Sequence, residues 1–328
     1  MSQFRVCRSL AEVPADFGPS AVTIGNFDGL HAGHRRIMRR VAALGQGYGW
    51  KPSVLTFDPH PTRIVAPSRT PRLLTTTQQR CELMRAEGIE QVLVLPFTQE
   101  LAALTPEEFV LRILAGAMRA RAVLVGDNFH FGANQTGDTA ILHQLGGKHG
   151  FRTEVLSGVH RHGRMVSSSG VRKLIQNGEV ALASRFLERP YSVEGRIVPG
   201  FGIGSKQTVP TLNLDTPAEI LPANGVYVTR THDLDAPRSW KSITNIGMRP
   251  TFSGDALTVE TFLIDPLDGD PPARIRLEFL RRVRDERKFA SPGALKAQIL
   301  LDVGRTRTYF RRYERWVDAP REGRMVPC

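Results

Sequence analysis

The rhythm of the chain changes once, and that change limits the folds open to it. Up to about residue 185, apolar strand-like runs alternate with helix-patterned segments. Runs at 21–24, 53–57, 91–95 and 122–126 read as buried strands. Between them, 76–86 reads as a helix closed by Gly88, and Thr105-Pro106-Glu107-Glu108 as a capped helix start. This alternation predicts a doubly wound α/β domain, a parallel sheet with helices on both faces. After Pro190, strand-like runs at 191–198, 225–231, 241–246, 257–264 and 274–280 follow one another, with no helix until 292–315. Strands without crossover helices predict an antiparallel sheet or a small antiparallel β-barrel, here with a C-terminal helix. The break near Glu188-Arg189-Pro190 gives two domains, 1–187 and 188–328, and 328 residues suit about two domains.

Composition excludes several classes. An apolar share of 41% and a charged share of 23% fit a globular protein. The chain has no run of about 18 apolar residues, and its start lacks the apolar core of a signal peptide. Cys7, Cys81 and Cys328 are scattered, which argues for reduced thiols in a cytoplasm and against a disulfide frame or zinc cluster. The net charge of +12 suits either nucleic acid or small polyanions such as nucleotides. Aromatic residues are not interleaved with the late basic run at 274–315, as stacking on single strands would require.

The densest chemical signal is Gly25-Asn26-Phe27-Asp28-Gly29-Leu30-His31-Ala32-Gly33-His34, a glycine-rich turn between the strand at 21–24 and a helix expected over 37–44. Backbone N–H groups and the positive helix end favour phosphate there. Gly25 and Gly33 allow close approach, and His31 and His34 can share one face of the first turn and donate to growing phosphate charge. The pattern is neither a P-loop nor the dinucleotide fingerprint. In parallel sheets ligands bind at the carboxyl ends of strands, so this turn and the loop Gly126-Asp127-Asn128-Phe129-His130-Phe131-Gly132 can face one pocket. The stretch Arg164-Met165-Val166-Ser167-Ser168-Ser169-Gly170-Val171-Arg172 reads either as a serine helix cap or as a second phosphate grip.

The second half adds a glycine-rich loop with Gly202, Gly204 and Lys206, then Pro210-Thr211-Leu212-Asn213. Thr211 and Asn213 share a face if extended, and their oxygens are hard ligands suited to Mg²⁺ and its phosphates. Glu260 interrupts an apolar alternating strand, and a carboxylate there is either salt-bridged or a general base.

Together these pieces resemble the prokaryotic bifunctional riboflavin kinase/FAD synthetase family over nearly the whole chain. In the first half they are the histidine turn, Asn128 to Gly132 and the serine run. In the second half they are Pro210 to Asn213, Asn224-Gly225-Val226-Tyr227, Asn245 to Phe252, Glu260 and Val283 to Phe289. Ser169, His130 and Phe262 stand where that family commonly has threonine, arginine and histidine. The resemblance implies a Rossmann-like nucleotidyltransferase domain that makes FAD and pyrophosphate from FMN and ATP. It also implies a riboflavin kinase barrel that makes FMN, with ATP, riboflavin and FMN as partners and Mg²⁺ accompanying ATP. It would place Gly25, Phe27, Asp28, Gly33, Asn128, Arg164, Ser167, Ser168 and Arg172 around the first nucleotide, with His31 and His34 acting on it. Gly202, Gly204 and Lys206 would attend the second ATP, Thr211 and Asn213 its metal, Glu260 the ribityl hydroxyl, and Arg284 and Phe289 the flavin. A cytoplasmic monomer or weak oligomer, without nucleic acid or membrane, is expected. The rivals are a monofunctional FAD synthetase whose barrel only binds flavin, and a basic RNA-binding protein sharing the histidine signature of class I aminoacyl-tRNA synthetases.

Overall fold

The computed structural model describes residues 4–199, 211–251, 254–267, 269–287 and 289–318. By contacts the chain forms a first unit of Met1–Val171 and Phe186–Glu188, and a second of Arg172–Arg185 and Arg189–Cys328.

The first unit is built on six parallel strands: β1 (Arg5–Cys7), β2 (Ser20–Ile24), β3 (Lys51–Phe57), β4 (Gln91–Leu95), β5 (Ala120–Gly126) and β6 (Arg152–Leu156). Their order is β1-β4-β3-β2-β5-β6. Every residue of β2 and β4 is buried, as expected for strands covered on both faces. One core layer includes Val22, Leu55, Leu93 and Val123, and the other Ala21, Met38, Val41 and Leu124. The helix Thr77–Ala86 opens on a reciprocal cap between Thr76 and Gln79. The Thr105/Glu108 cap opens Pro106–Phe109 in the same way, and the chain then continues as a π-helix over Val110–Ala117.

Two helices begin earlier than their apolar spacing indicates. Ala32–Tyr48 starts at the histidine turn because His31 itself caps it, and Ser168–Gln176 starts within the serine run. The openings, Ala-Gly-His-Arg-Arg and Ser-Ser-Gly, carry no hydrophobic period to read. A short hairpin of β7 (His160–Arg161) and β8 (Arg164–Met165) precedes the second of these helices.

The second unit is a closed antiparallel barrel of β9 (Tyr191–Val198), β10 (Thr211–Asp215), β11 (Gly225–Asp233), β12 (Ser239–Thr251), β13 (Gly254–Leu263) and β14 (Arg274–Arg284), ordered β10-β13-β12-β11-β14-β9. The helix Pro292–Asp318 follows, and its Val303 and Ile299 pack on Val226, Ile243, Phe262 and Val283. One side of the barrel interior is a chain of hydroxyls. Thr231 donates to Ser242 at 2.8 Å, Ser242 pairs with Thr229 at 2.8 Å, Thr229 with Thr244 at 2.7 Å, and Thr244 with Thr261 at 2.9 Å. All five side chains are wholly buried. Among the described residues no helix is long and apolar enough to cross a membrane.

Thr244 links two halves of that hydroxyl chain. Thr244→Val is expected to cost about 1–3 kcal/mol, because Thr229 and Thr261 each lose a buried partner. Calorimetry would register this as a lowered melting transition of the barrel, and an unchanged profile would show that the ladder carries no stability.

Candidate active sites

Strand order places the first site. From β2 the chain builds β3 and β4 on one side, where β1 closes the edge, and then β5 and β6 on the other. The order therefore reverses between β2 and β5, which opens a crevice at their carboxyl ends. The histidine turn leaves β2 and the Asn128 loop leaves β5, on the two sides of that crevice.

The turn is wound tightly. Phe27 (φ 50°), Gly29 (φ 75°) and Leu30 (φ 42°) are left-handed. For Phe27 and Leu30 that conformation costs ~1–3 kcal/mol each, so other contacts must hold it. Asp28 supplies them. Its carboxylate is 2% exposed and accepts the Leu74 N–H (3.0 and 3.1 Å), the Thr75 N–H (3.2 Å) and the Thr75 hydroxyl (3.2 Å). The Asp28 side chain therefore fastens the loop from within. The Gly29 N–H donates to Thr75 Oγ1 at 3.1 Å, and Asn26 O accepts from Arg80 Nη1 at 2.7 Å. A Cβ on Gly25 would come within 3.1 Å of the Phe27 ring, and one on Gly33 within 3.2 Å of the His31 ring.

The serine run joins this loop. The Ser168 hydroxyl donates to Asp28 O at 2.9 Å, and Ser167 Oγ accepts the Gly170 N–H at 3.2 Å, capping its helix. These bonds bear out the helix-cap reading of the run and set the cap beside the histidine turn. Asn128 is exposed on the β5 loop, with its carbonyl 3.1 Å from His130 Nδ1. Arg164 is exposed in β8, and Arg172 falls in the second unit.

His31 and His34 stack with ring centroids 3.6 Å apart at 18°, and Phe27 meets His34 edge-on at 5.1 Å. Burial lowers the His31 pKa to about 4, although its own backbone hydrogen bond and Asp28 oppose the shift. Burial, and then the His31 ring, hold His34 well below the usual imidazole range. Both rings are neutral near pH 7. His31 Nδ1 accepts the His34 N–H at 3.4 Å, which leaves the His31 proton on Nε2 as a donor. His34 Nδ1 is buried with no partner among the described residues.

The second site lies on the outer face of the barrel. Register sets Glu260 of β13 opposite Asn213 of β10 and Asn245 of β12, with Thr211 opposite Phe262 beside them. Val259 and Thr261 point inward and are buried, so Glu260 points outward and is half-buried. Its cross-strand partners carry amides, which its neighbours in sequence, Val259 and Thr261, do not announce. Thr211, Asn213 and Glu260 offer three hard oxygens on one face, too few for an all-protein cage and well suited to Mg²⁺ that brings phosphate and water ligands. Arg284 Nε donates to Asp302 Oδ2 at 2.8 Å, and the guanidinia of Arg284 and Arg287 lie 5.6 and 4.8 Å from the Phe289 ring centre. Gly202, Gly204 and Lys206 lie outside the described residues.

Sequence reasoning missed Thr75, Arg80 and Asn245 as supports of these sites. Thr75 and Arg80 act from a segment about fifty residues downstream of the histidine turn, as the 46-residue separation of Asp28 from Leu74 illustrates. No local pattern marks them. Asn245 becomes visible only once β12 and β13 are in register.

A family model described as FAD synthetase matches residues 13–170, and one described as riboflavin kinase matches 187–310. A bifunctional riboflavin kinase/FMN adenylyltransferase of Pseudomonas fluorescens is 34% identical over 92% of this chain and 97% of its own length. The protein of the same name from Escherichia coli K12 is 31% identical over 94% of this chain and 98% of its own. The crystal structure of a macrolide-efflux protein from Streptococcus pneumoniae aligns with a TM-score of 0.81 at 24% identity, covering 94% of this chain and 99% of that one. At that identity the likeness speaks for the fold alone.

The buried histidine makes a stability prediction. In the unfolded chain His31 takes a proton near pH 6.5, and in the folded chain only near 4. Between these values the unfolded state holds more protons, so stability falls as pH falls through that window. The gap in unfolding free energy between the wild type and His31→Asn should be constant above pH 7 and narrow by on the order of 3 kcal/mol by pH 4. Urea titrations would measure it, and a gap that ignores pH would mean that His31 keeps its unfolded-state proton affinity in the fold.

Proposed function

The chain belongs to the bifunctional riboflavin kinase/FMN adenylyltransferase family, and we propose that it carries out both reactions of that name. In one, the γ-phosphoryl group of ATP passes to the ribityl hydroxyl of riboflavin, giving FMN and ADP. In the other, an oxygen of the FMN phosphate attacks the α-phosphorus of ATP, giving FAD and pyrophosphate. The observation that carries this reading is that one chain, matched from end to end by bifunctional relatives, holds two separate constellations of different chemistry.

In adenylyl transfer the nucleophile is already an anion, so the site has to position it and stabilise charge rather than remove a proton. Neutral His31 and His34 suit that task. They donate N–H to phosphate oxygens at any pH above their depressed pKa values, without the desolvation cost of a buried cation. Gly25, Phe27 and Gly33 leave the loop open to the triphosphate. Ser167 and Arg164 hold its outer phosphates, Ser168 ties the serine run to the histidine turn through Asp28 O, and Asn128 places the second substrate. Asp28 contributes by fixing the loop.

In the kinase reaction the nucleophile is an alcohol and needs a base. Glu260 accepts its proton, held between two amides that orient the carboxylate. Thr211 and Asn213 would hold Mg²⁺ on the ATP phosphates, where the ion neutralises charge. The Phe289 ring, flanked by Arg284 and Arg287, gives a flat cationic surface for the isoalloxazine, and Asp302 fixes Arg284. The cytoplasmic setting read from the scattered thiols suits these substrates.

Incubation with riboflavin, ATP and Mg²⁺, followed by chromatography for FMN and FAD, tests the reading directly. RNA binding without flavin turnover would overturn it. His31→Ala should lower FAD formation about 100-fold or more while riboflavin phosphorylation stays nearly unchanged. Glu260→Ala and Asn213→Ala should do the reverse, abolishing or crippling FMN formation while added FMN is still converted to FAD. Equal loss of both activities in either set would contradict two independent sites.

A further inference from the structure

Arg80 is 2% exposed and among the largest fully buried side chains of the molecule. Its own helix gives it no reason to be there. It sits in the opening turn of Thr77–Ala86, where the positive end of the helix dipole disfavours a cation. Burial draws its pKa down, against the fields of Asp28 and Asp58. A buried charge at such a cost is kept where it is paired or used. Its hydrogen-bond acceptors are neutral: Nη1 donates to Asn26 O at 2.7 Å and Nη2 to Thr77 Oγ1 at 2.9 Å. Thr77 in turn donates to Asp58 Oδ2 at 2.7 Å, and Arg80 Nε is buried without a partner among the described residues.

The peptide that Arg80 grips is the informative part. Asn26 O also receives the Thr56 hydroxyl at 3.4 Å, so two donors draw this carbonyl inward. A trans peptide sets its C=O and the following N–H in opposite directions. Pulling Asn26 O toward Arg80 therefore turns the Phe27 N–H away from it. That N–H donates to no acceptor among the described residues, and Phe27 is held left-handed at φ 50°.

On the reading of this turn as the nucleotide site, we propose that Arg80 is a positioning residue for adenylyl transfer: from the buried side of the loop it fixes the Asn26–Phe27 peptide so that the Phe27 N–H faces the nucleotide phosphates. Its charge also adds to their attraction without touching them. Arg80 thereby joins the depth of the sheet to a single backbone donor in the site.

Arg80→Met and Arg80→Lys in the full chain test this. The readouts are the ATP KM and kcat of FAD formation, riboflavin phosphorylation in the same sample, the melting temperature, and protection of residues 25–34 from hydrogen exchange by Mg²⁺–ATP. Arg80→Met should raise the ATP KM of FAD formation about 10- to 100-fold and remove the protection, leaving riboflavin phosphorylation nearly unchanged. Arg80→Lys should recover part of the loss, because an ammonium can still reach Asn26 O. Unchanged ATP KM and protection in Arg80→Met would overturn the proposal, as would parallel loss of both activities and of melting temperature in both variants. If Arg80→Met does not fold, Arg80→Lys decides: a raised ATP KM at unchanged melting temperature supports the role, and an unchanged KM overturns it. Should the wild type form no FAD while Arg80→Met still abolishes ATP protection, the assigned reaction falls and the positioning role stands.

Discussion

A single buried carboxylate holds the first site in shape. Asp28 lies in a turn whose backbone is left-handed at three of its residues, and it gathers two backbone N–H groups and a hydroxyl from the segment Leu74–Thr75. A carboxylate so deeply buried is stable only because those donors meet it. The dependence is mutual, since the strained turn persists only because Asp28, the Gly29 N–H and the Asn26 carbonyl are each tied elsewhere. With its inner groups satisfied by protein, the loop has its remaining N–H groups and the His31 Nε2–H left for a ligand. The architecture of the sheet delivers that loop to the one crevice where strand order reverses.

The barrel reaches a comparable result by register. Glu260 stands between Asn213 and Asn245 because β10, β13 and β12 pair as they do. A slip of one residue would turn Glu260 into the barrel and Thr261 out of it. The hydroxyl chain from Thr231 to Thr261 opposes such a slip, because it would bury a carboxylate and strand hydroxyls in the interior at once. An apolar interior would exclude water equally well but would distinguish one register from the next less sharply. A polar interior at this point therefore buys the position of a polar group on the opposite face.

What the sequence made legible follows from which forces are local. Hydrophobic period and turn residues carried the parallel sheet, the barrel and the long C-terminal helix, since burial acts along each element. The cap at Thr105 was readable because both partners lie within four residues. His31 as a cap was not, because it is an uncommon capping residue and the first turn of its helix, Ala32-Gly33-His34-Arg35, shows no apolar spacing. Asp28 was legible as a member of a phosphate-binding turn, yet its carboxylate faces Leu74 and Thr75, which nothing nearby announces. The amide surroundings of Glu260 were hidden for the same reason: alternation tells which face a residue takes, and only pairing tells what lies beside it.

The two constellations differ in the way the two nucleophiles differ. A phosphate oxygen carries its own charge at neutral pH, and a site that deprotonates nothing does well with neutral donors. On the proposed reading the stacked, desolvated imidazoles would provide them, and burial keeps both rings uncharged near pH 7. An alcohol must lose a proton, and the site meant for it presents a carboxylate next to oxygens that suit a divalent cation. Burial thus does opposite work in the two places. It strips charge from the histidines of the first site, while Glu260 is only half-buried on a strand between Asn213 and Asn245. A chain that handled ATP in both halves by one chemistry would have had no reason to build them so unlike.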